Sequence, residues 1–294
     1  MSRRNYKKWN DEDILFLKEN ADRFTIRVLG EKLGRNESSI RNKLRALKIK
    51  KKVLTYTTYS YNRDFFENID CEEKAYWLGF IAADGCILGG GRTGKRLKIS
   101  LQKGDKAHLE QFVANLDGNI KIKEYKYRTK KGYYEHVEVS VGSNKLCHDL
   151  EALNITKAKS KTLKMSKIHD KLIRHYLRGY IDGDGHFYLS NNQKKSYIEI
   201  YIGSNSMLNY LTSYLNNQGI TNYKFHYKKK GLYKIATHDI HSKARLIDLL
   251  YRDSTIFLGR KRDKALKIIQ SLGNHRISLS TKNFLNKTYM DLKF

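Results

Sequence analysis

The chain contains no proline in 294 residues. Helix ends must therefore be set by glycine, asparagine and aspartate. Cysteine is nearly absent too: Cys71, Cys86 and Cys147 form no CxxC pair, which excludes a disulfide framework and a zinc ribbon. No apolar run is long enough for a membrane span, and none follows Met1 as a secretory signal requires. The expectation is an intracellular protein, in the cytoplasm of a bacterial or phage-infected cell. Acidic residues are scarce, with 30 Asp and Glu against 58 Lys and Arg, a net charge of +28. So basic a chain repels itself, and a polyanion relieves the repulsion. No long basic amphipathic helix stands out, so a membrane surface is the poorer partner and nucleic acid the better one. Hydrophobic residues make up 40%, enough for a folded core and against wholesale disorder. The 21 tyrosines suit half-buried strands, and rings among cations can also pack on sugars and bases.

The first fifty residues read as a separate helical unit. Asn10 can cap a helix beginning DEDILFLKEN, with acids in its first turn. Thr25 can cap a second, which Gly34 breaks. Asn36 opens a third, ESSIRNKLRALKI, with Ile40, Leu44 and Leu47 on one face and Arg41, Asn42 and Arg45 elsewhere. Helix, glycine-containing turn and basic helix is the helix-turn-helix pattern. With Trp9 ahead of it, the segment resembles Myb-like or winged-type trihelical DNA-binding modules. The alternative is a small bundle with a solvated basic face. Residues 51–69 show no period and read as a linker.

The remainder repeats itself. LGFIAADG at 78–85 matches RGYIDGDG at 178–185, AHLEQFVANLDG at 107–118 matches SMLNYLTSYLNN at 206–217, and KKGYY at 130–134 matches KKGLY at 229–233. NKLCHDLEAL at 144–153 matches SKARLIDLLY at 242–251. Four landmarks in one order at one spacing mark a duplicated unit of about a hundred residues. Each unit reads helix, two strands, helix, two strands, helix. The strands alternate Lys, Glu, Tyr and Arg with Ile and Val, giving one wet, basic face and one apolar face.

The stretch LRGYIDGDG carries the chemistry. Gly179 and Gly183 lie four apart, on one helical face, as do Gly79 and Ala83 in the first copy. Small residues there let two helices approach closely. Asp184 and Asp84 follow at the helix ends, before Gly185 and Gly85, which suit left-handed caps. A carboxylate at a helix C-terminus is disfavoured, and two brought together are more so unless a cation or a proton sits between them. Mg2+ held by two carboxylates, water and a phosphate resolves the conflict, and suits phosphodiester hydrolysis on a basic surface.

WLGFIAADG (77–85) and LRGYIDGDG (177–185) resemble the two motifs of single-chain LAGLIDADG homing endonucleases. The resemblance covers residues 70 to about 265, including the αββαββ order. It implies an α+β fold: two pseudo-symmetric αββαββα units packed through the motif helices, with saddle-shaped antiparallel sheets. The small all-α helix-turn-helix domain precedes them. The expected boundaries are 1–50 for that domain, 51–69 for a linker, and 70–156 for the first unit. A second linker follows at 157–168, the second unit at 169–270, and a C-terminal extension at 271–294. The resemblance implies that Asp84 and Asp184 bind Mg2+, with Mn2+ able to substitute, and with backbone near the motif at Ala83 and Gly183. The penultimate acidic position is Asp182 in the second motif and Ala82 in the first, so Asp182 is expected to support rather than to ligate. Lys145 and Lys243 match a basic position after the fourth strand, and Gln102 a water-orienting position at the end of the second. Expected DNA contacts are Arg41, Asn42, Arg45, Arg92, Lys95, Lys98, Lys121, Lys123, Lys126, Arg128, Lys224, Lys228, Arg260 and Lys261, with Arg262 beside them.

GGGRTGKR (89–96) nearly spells a P-loop, but Arg96 replaces the metal-binding hydroxyl and a strand follows. DGDGHF lacks the residues of an EF-hand loop. The implied activity is cutting both strands of a long duplex site with Mg2+, leaving 3′ overhangs. The implied actor is a freestanding monomer with internal pseudo-twofold symmetry. Two other classes stand beside it: an RNA maturase, and a DNA-binding regulator on an inactive version of the fold.

Overall fold

A computed structural model describes residues 8–21, 26–49, 59–91, 94–129, 132–227, 231–273 and 279–293. The chain forms two compact units, 1–58 and 59–294.

In the first unit, α1 (Asp11–Asn20), α2 (Ile26–Leu33) and α3 (Glu37–Ala46) surround a core of Leu17, Ala21, Leu29, Leu33, Ile40 and Leu44. Asn10 caps α1 by accepting from the Asp13 amide at 2.8 Å, and Asn36 caps α3 by accepting from Ser39 at 2.8 Å. Gly34 ends α2 with φ of 60°, a conformation that costs glycine little. The Thr25 cap lies outside the described residues. The Arg35 guanidinium lies 3.9 Å from the centre of the Trp9 ring and 2.6 Å from Asp13, which fastens the entry segment to the start of α3.

The second unit contains the duplication. Its first half runs α4 (Glu72–Asp84), β1 (Gly85–Gly89), β2 (Lys95–Gln102), α5 (Lys106–Asn115), β3 (Lys123–Thr129), β4 (Gly132–Gly142) and α6 (Asn144–Ala152). Its second half runs α7 (Asp170–Asp184), β5 (Gly185–Leu189), β6 (Ser196–Ile202), α8 (Asn205–Asn217), β7 (Tyr223–Tyr227), β8 (Leu232–Thr237) and α9 (Ile240–Tyr251). Two helices follow, α10 (Gly259–Leu272) and α11 (Leu279–Lys293). Each half builds a four-stranded antiparallel sheet, ordered β1-β2-β4-β3 and β5-β6-β8-β7. The expected α+β architecture of two αββαββα units is therefore the fold. Alternation fixes the faces: Leu97, Ile99, Val137, Val139 and Val141 point into the core, as do Ile198, Ile200 and Ile235. The opposite faces are wet.

The two halves meet through α4 and α7. A Cβ on Gly79 would lie 1.9 Å from the Tyr176 carbonyl oxygen, and one on Gly179 would lie 2.0 Å from that of Tyr76. Backbone thus touches backbone, at a distance only glycine permits. Arg178, fully buried in α7, donates to the carbonyls of Ile256 at 2.8 Å and Leu250 at 2.9 Å, and to Glu72 of α4 at 2.5 Å. The ion pair therefore crosses between the halves with its donors satisfied, which a buried guanidinium requires. Gly179→Ala is expected to destabilise the fold by about 3 kcal/mol, as overpacking does where backbone must yield. Gly104→Ala, at a site with no atom within 4 Å, is the control, and thermal unfolding of the two variants checks the difference.

Candidate active site at the paired motif helices

Helices α4 and α7 end at Asp84 and Asp184 and run directly into β1 and β5. The expected left-handed caps are not formed. Gly85 and Gly185 are extended, with φ of −83° and −81°. Glycine is needed there for space instead: a Cβ would lie 2.5 Å from the Ile81 side chain at one site, and 2.4 Å from the Ile181 carbonyl oxygen at the other. A Cβ on Gly183 would lie 2.5 Å from that of Ala83 and 3.1 Å from the Asp84 carboxylate. Asp84 therefore leans over the glycine of the opposite helix.

Both carboxyls are held above their ordinary range. Burial pushes Asp184 up to about 6, and the Asp84 charge adds to the effect. Asp84 is raised by desolvation against the pull of Lys261, Lys159 and Arg260. Its outer edge remains open to solvent while protein encloses the rest. Two lysines flank the pair. Lys159, in a single 3-10 turn after α6, donates to the carbonyl of Gly85. Lys261, in the first turn of α10, donates to the carbonyl of Gly185. Both are 7% exposed. Burial draws Lys159 downward and takes Lys261 to about 8, with repulsion from Arg260 adding to the latter. Two carboxylates, one from each half, and two lysines, one from the segment that follows each half, thus converge.

The residues fit a divalent ion that keeps most of its water. Two carboxylates suit Mg2+, which is bound through one or two carboxylates and substrate phosphate. Among the described residues no cluster of three or more His, Cys, Asp or Glu could form a protein-only cage. Ala83 and Gly183 adjoin the carboxylates on the helix contact, as the sequence places them.

Lys145 and Lys243 are engaged elsewhere. Lys145 is exposed and bonds Glu67 and Asp149, each at 2.8 Å, which raises its pKa, Asp149 first. Lys243 is buried and donates to the Ser196 hydroxyl at 2.9 Å. Ser196 pairs with Leu189, the end of β5 away from Asp184, about 14 Å along the strand. The burial patterns of α6 and α9 match Lys145 with the exposed Arg245 rather than with the buried Lys243, so the two lysines are not equivalent, and neither is placed beside the motif aspartates. Gln102 is exposed at the end of β2, opposite His136. Its counterpart by register is Gly203, where a Cβ would meet the Ser160 carbonyl at 2.1 Å. The second half has no room for a side chain there.

Period two divides the expected DNA contacts. Lys98 and Lys123 share the wet face of the first sheet, and Lys98 pairs with Glu138 at 2.5 Å. Lys126 and Arg128 fall on the opposite face, across from Glu135 and Tyr133, and Lys224 likewise lies across from the core residue Ile235. Lys95 bonds Glu151 at 2.6 Å, Lys121 is exposed just before β3, and Arg41 is drawn to Glu37 at 2.6 Å. Asn42 and Arg45 are exposed on α3. Arg260 pairs with the buried Asp105 at 3.0 Å. Arg262 donates to the Leu292 carbonyl of α11 and stacks on Phe257. Arg92 and Lys228 lie outside the described residues.

Lys159 was not visible as a site residue in the sequence. The signal was available: Lys159 precedes Lys261 by 102 residues, close to the period of the other landmarks.

A family model described as LAGLIDADG-like domain matches residues 72–155 and again 171–252. The chain belongs to the LAGLIDADG-like family. No curated protein matches the chain. Among solved structures, the homing endonuclease I-WcaI bound to its DNA recognition sequence matches at 14% identity, covering 64% of this chain and 84% of that one, with a TM-score of 0.46. The LAGLIDADG homing endonuclease I-GzeII in complex with its DNA target matches at 13%, covering 78% and 97%, with a TM-score of 0.45. Mesophilic variants from the homing endonuclease I-DmoI match at 19%, covering 65% and 93%, with a TM-score of 0.43. Among the described residues no helix is long and apolar enough to cross a membrane.

In this LAGLIDADG chain the penultimate motif acid, Asp182, is fully buried. It accepts from Tyr76 at 2.9 Å, Tyr251 at 2.6 Å and the Leu258 amide at 2.7 Å. Tyr76 comes from the other half. Its hydroxyl, already donated to Asp182, accepts at 3.0 Å from His108 Nε2, which fixes the proton on that nitrogen. Burial lowers the His108 pKa to about 3. An unfolded histidine takes a proton below about 6.5, so the folded state loses stability as pH falls from there toward 3. This group alone is expected to remove about 1.4 kcal/mol per pH unit in that window. His108→Gln should flatten the slope. Urea unfolding at pH 7 and pH 5 measures it, and equal slopes in both proteins would contradict the assignment.

Proposed function

We propose that the chain is a site-specific double-strand DNA endonuclease of the homing type, dependent on Mg2+ and acting as a pseudo-symmetric monomer. The observation that carries this reading is the convergence of Asp84, Asp184, Lys159 and Lys261 at the helix contact, where both sheets begin. The net charge of +28 supports affinity for a duplex, since cations that neutralise phosphates release counterions. The N-terminal helices act as a helix-turn-helix module that lengthens the contact, with α3 and its Arg41, Asn42 and Arg45 toward the groove.

Asp84 and Asp184 would hold the metal, which lowers the pKa of bound water and neutralises charge on the phosphate. Mn2+, with the same oxygen preference, would substitute. The lysines act beside them. Lys159 and Lys261 are each tethered by a carbonyl and so are fixed before substrate arrives. Fixed charges aimed at a developing negative charge need no reorganisation during reaction. Lys261, held by the Gly185 carbonyl, would act with Lys159 as such a charge beside the phosphate. The attacking water oxygen forms the new bond to phosphorus, the 3′ oxygen leaves and takes up a proton, and one phosphodiester becomes a 5′ phosphate and a 3′ hydroxyl. Repeated on the other strand across the minor groove, this leaves the 3′ overhangs.

The test is cleavage of duplexes selected from a randomised library, and of the uninterrupted host locus, with Mg2+. Asp84→Asn and Asp184→Asn should each lower cleavage by about 100-fold or more while retaining binding, and Lys159→Met or Lys261→Met by about 10–1000-fold. Lys145→Ala should stay within about threefold, as surface changes remote from a site do. Full cleavage by both asparagine variants would refute the metal assignment. Binding to an intron transcript without DNA cleavage would favour an RNA maturase, and sequence-specific binding without cleavage a regulator.

A further inference from the structure

The two wet faces have diverged in chemistry. Gly85 pairs with Ile99 and Gly185 with Ile200, so β2 and β6 can be compared position by position. Arg96 of the first sheet corresponds to Tyr197 of the second, Lys98 to Glu199, and Ser100 to Tyr201. On the outer strands Lys123 faces Glu138, and Phe225 faces Lys234 at the equivalent place. Each of these three cations of the first face is thus an aromatic ring or an acid in the second; exposed rings occur on both faces, and on the first Tyr125, Tyr127 and Tyr134 are interleaved with Arg96, Lys98 and Lys123. The diagonal ion pair survives with its signs exchanged: Lys98 with Glu138, and Glu199 with Lys234 at 2.6 Å. Lys234 is also covered by the ring of Phe225, 4.7 Å from its Nζ, and so offers no free charge. Around it Tyr201, Tyr223, Phe225 and Tyr227 are 37–50% exposed, and Tyr188 stacks on Tyr197 at 4.5 Å.

We infer that the second sheet reads its half of the DNA site through thymine methyl groups, whereas the first reads its half through cationic donors. This rests on the proposed DNA-cutting function. In the major groove guanine offers two acceptors that arginine or lysine can grip, and thymine offers a C5 methyl that only apolar surface can reward. Among the described residues, the cation that strands β5–β8 place on this face is paired and roofed and is poorly placed to grip guanine, whereas exposed rings can pack on methyls and tyrosine hydroxyls can donate to thymine O4. The half-site under β5–β8 is therefore thymine-rich.

The full-length chain is used in selection from random duplexes without divalent metal. The half under the first sheet is identified as the one whose selected bases change in Arg96→Ala and Lys123→Ala. Uracil, which differs from thymine only by the methyl group, then replaces thymine in each half separately. Uracil in the other half should weaken binding roughly tenfold or more, on the scale of losing base contacts, and uracil in the first half by less than about threefold. Phe225→Ala, at a 44% exposed position, should reduce this sensitivity. Lys123→Ala should reduce the salt slope by about one. Equal uracil effects in the halves, a G·C-rich second half, or preference for single strands over duplex would overturn the inference while leaving nuclease activity standing. No selected duplex at all would instead bring down the function on which it rests.

Discussion

Backbone contact between α4 and α7 is the constraint from which the remaining geometry follows. Gly79 and Gly179 remove the side chains that would hold the helices apart, and the axes then close to a distance set by carbonyl oxygens. Because each helix ends in aspartate, that contact also fixes how near the two carboxylates come. The cost is electrostatic. Two acids share the negative ends of two helix dipoles, and burial raises both. Lys159 and Lys261 offset part of this from outside the motif. Each is fastened to the first carbonyl after its own half's aspartate. The helix contact, the acids and the lysines therefore form one arrangement rather than three adjacent features.

Joining the halves in one chain removed the need for symmetry, and the polar connections used that freedom. A twofold dimer must use each interface residue twice. Here Arg178 reaches Glu72, while its counterpart is Leu78. Asp182 gathers Tyr76, Tyr251 and the Leu258 amide, while its counterpart is Ala82. Asp105 of the first half binds Arg260 beyond the second, and the positions equivalent to these two are Ser204 and Ala158. Each polar link appears once, across the boundary, and the opposite position is apolar or small. A second copy of Asp182 would have required another set of buried donors, and an acid without them is strongly penalised.

How much of this was legible depended on whether the signal was local. The first two duplicated landmarks, the small helical faces and the Asn10 and Asn36 caps each reside in a few adjacent residues, and each is realised; the third landmark lies partly outside the described residues, and the fourth is shifted by two residues. The glycines after the motifs were legible as necessary but not for the right reason, since composition does not distinguish a glycine chosen for φ from one chosen for space. The face of a strand residue depends on register, and one residue of uncertainty reverses it. For that reason Lys126 and Arg128, expected beside Lys123, fall on the opposite face. Lys159 lies in a short turn with no hydrophobic period, so nothing local marks it. Only the duplication, extended past the third helix of each half, would have paired it with Lys261.

The motif site is also where the fold departs furthest from what stability alone would select. A sequence required only to pack α4 against α7 would do better with asparagine at 84 and 184, keeping the shape without the buried like charges. It would then need no buried lysine beside them, because Lys159 and Lys261 are themselves drawn below their usual range by the desolvation they endure. Every one of the four groups is thus less comfortable charged in the fold than in water, and the opposed signs only partly compensate. The Asp182 cluster shows the contrast within the same helix: its carboxylate is more deeply buried and is also raised by burial, yet three donors close around it and no solvent edge remains. One acid is fully satisfied and closed, and its neighbour two residues on is left partly open. Native folds concentrate such local conflict where an incoming partner resolves it, and under the proposed function a phosphate with its cation would resolve this one on both counts, by giving the carboxylates a positive charge to bind and the lysines a negative one.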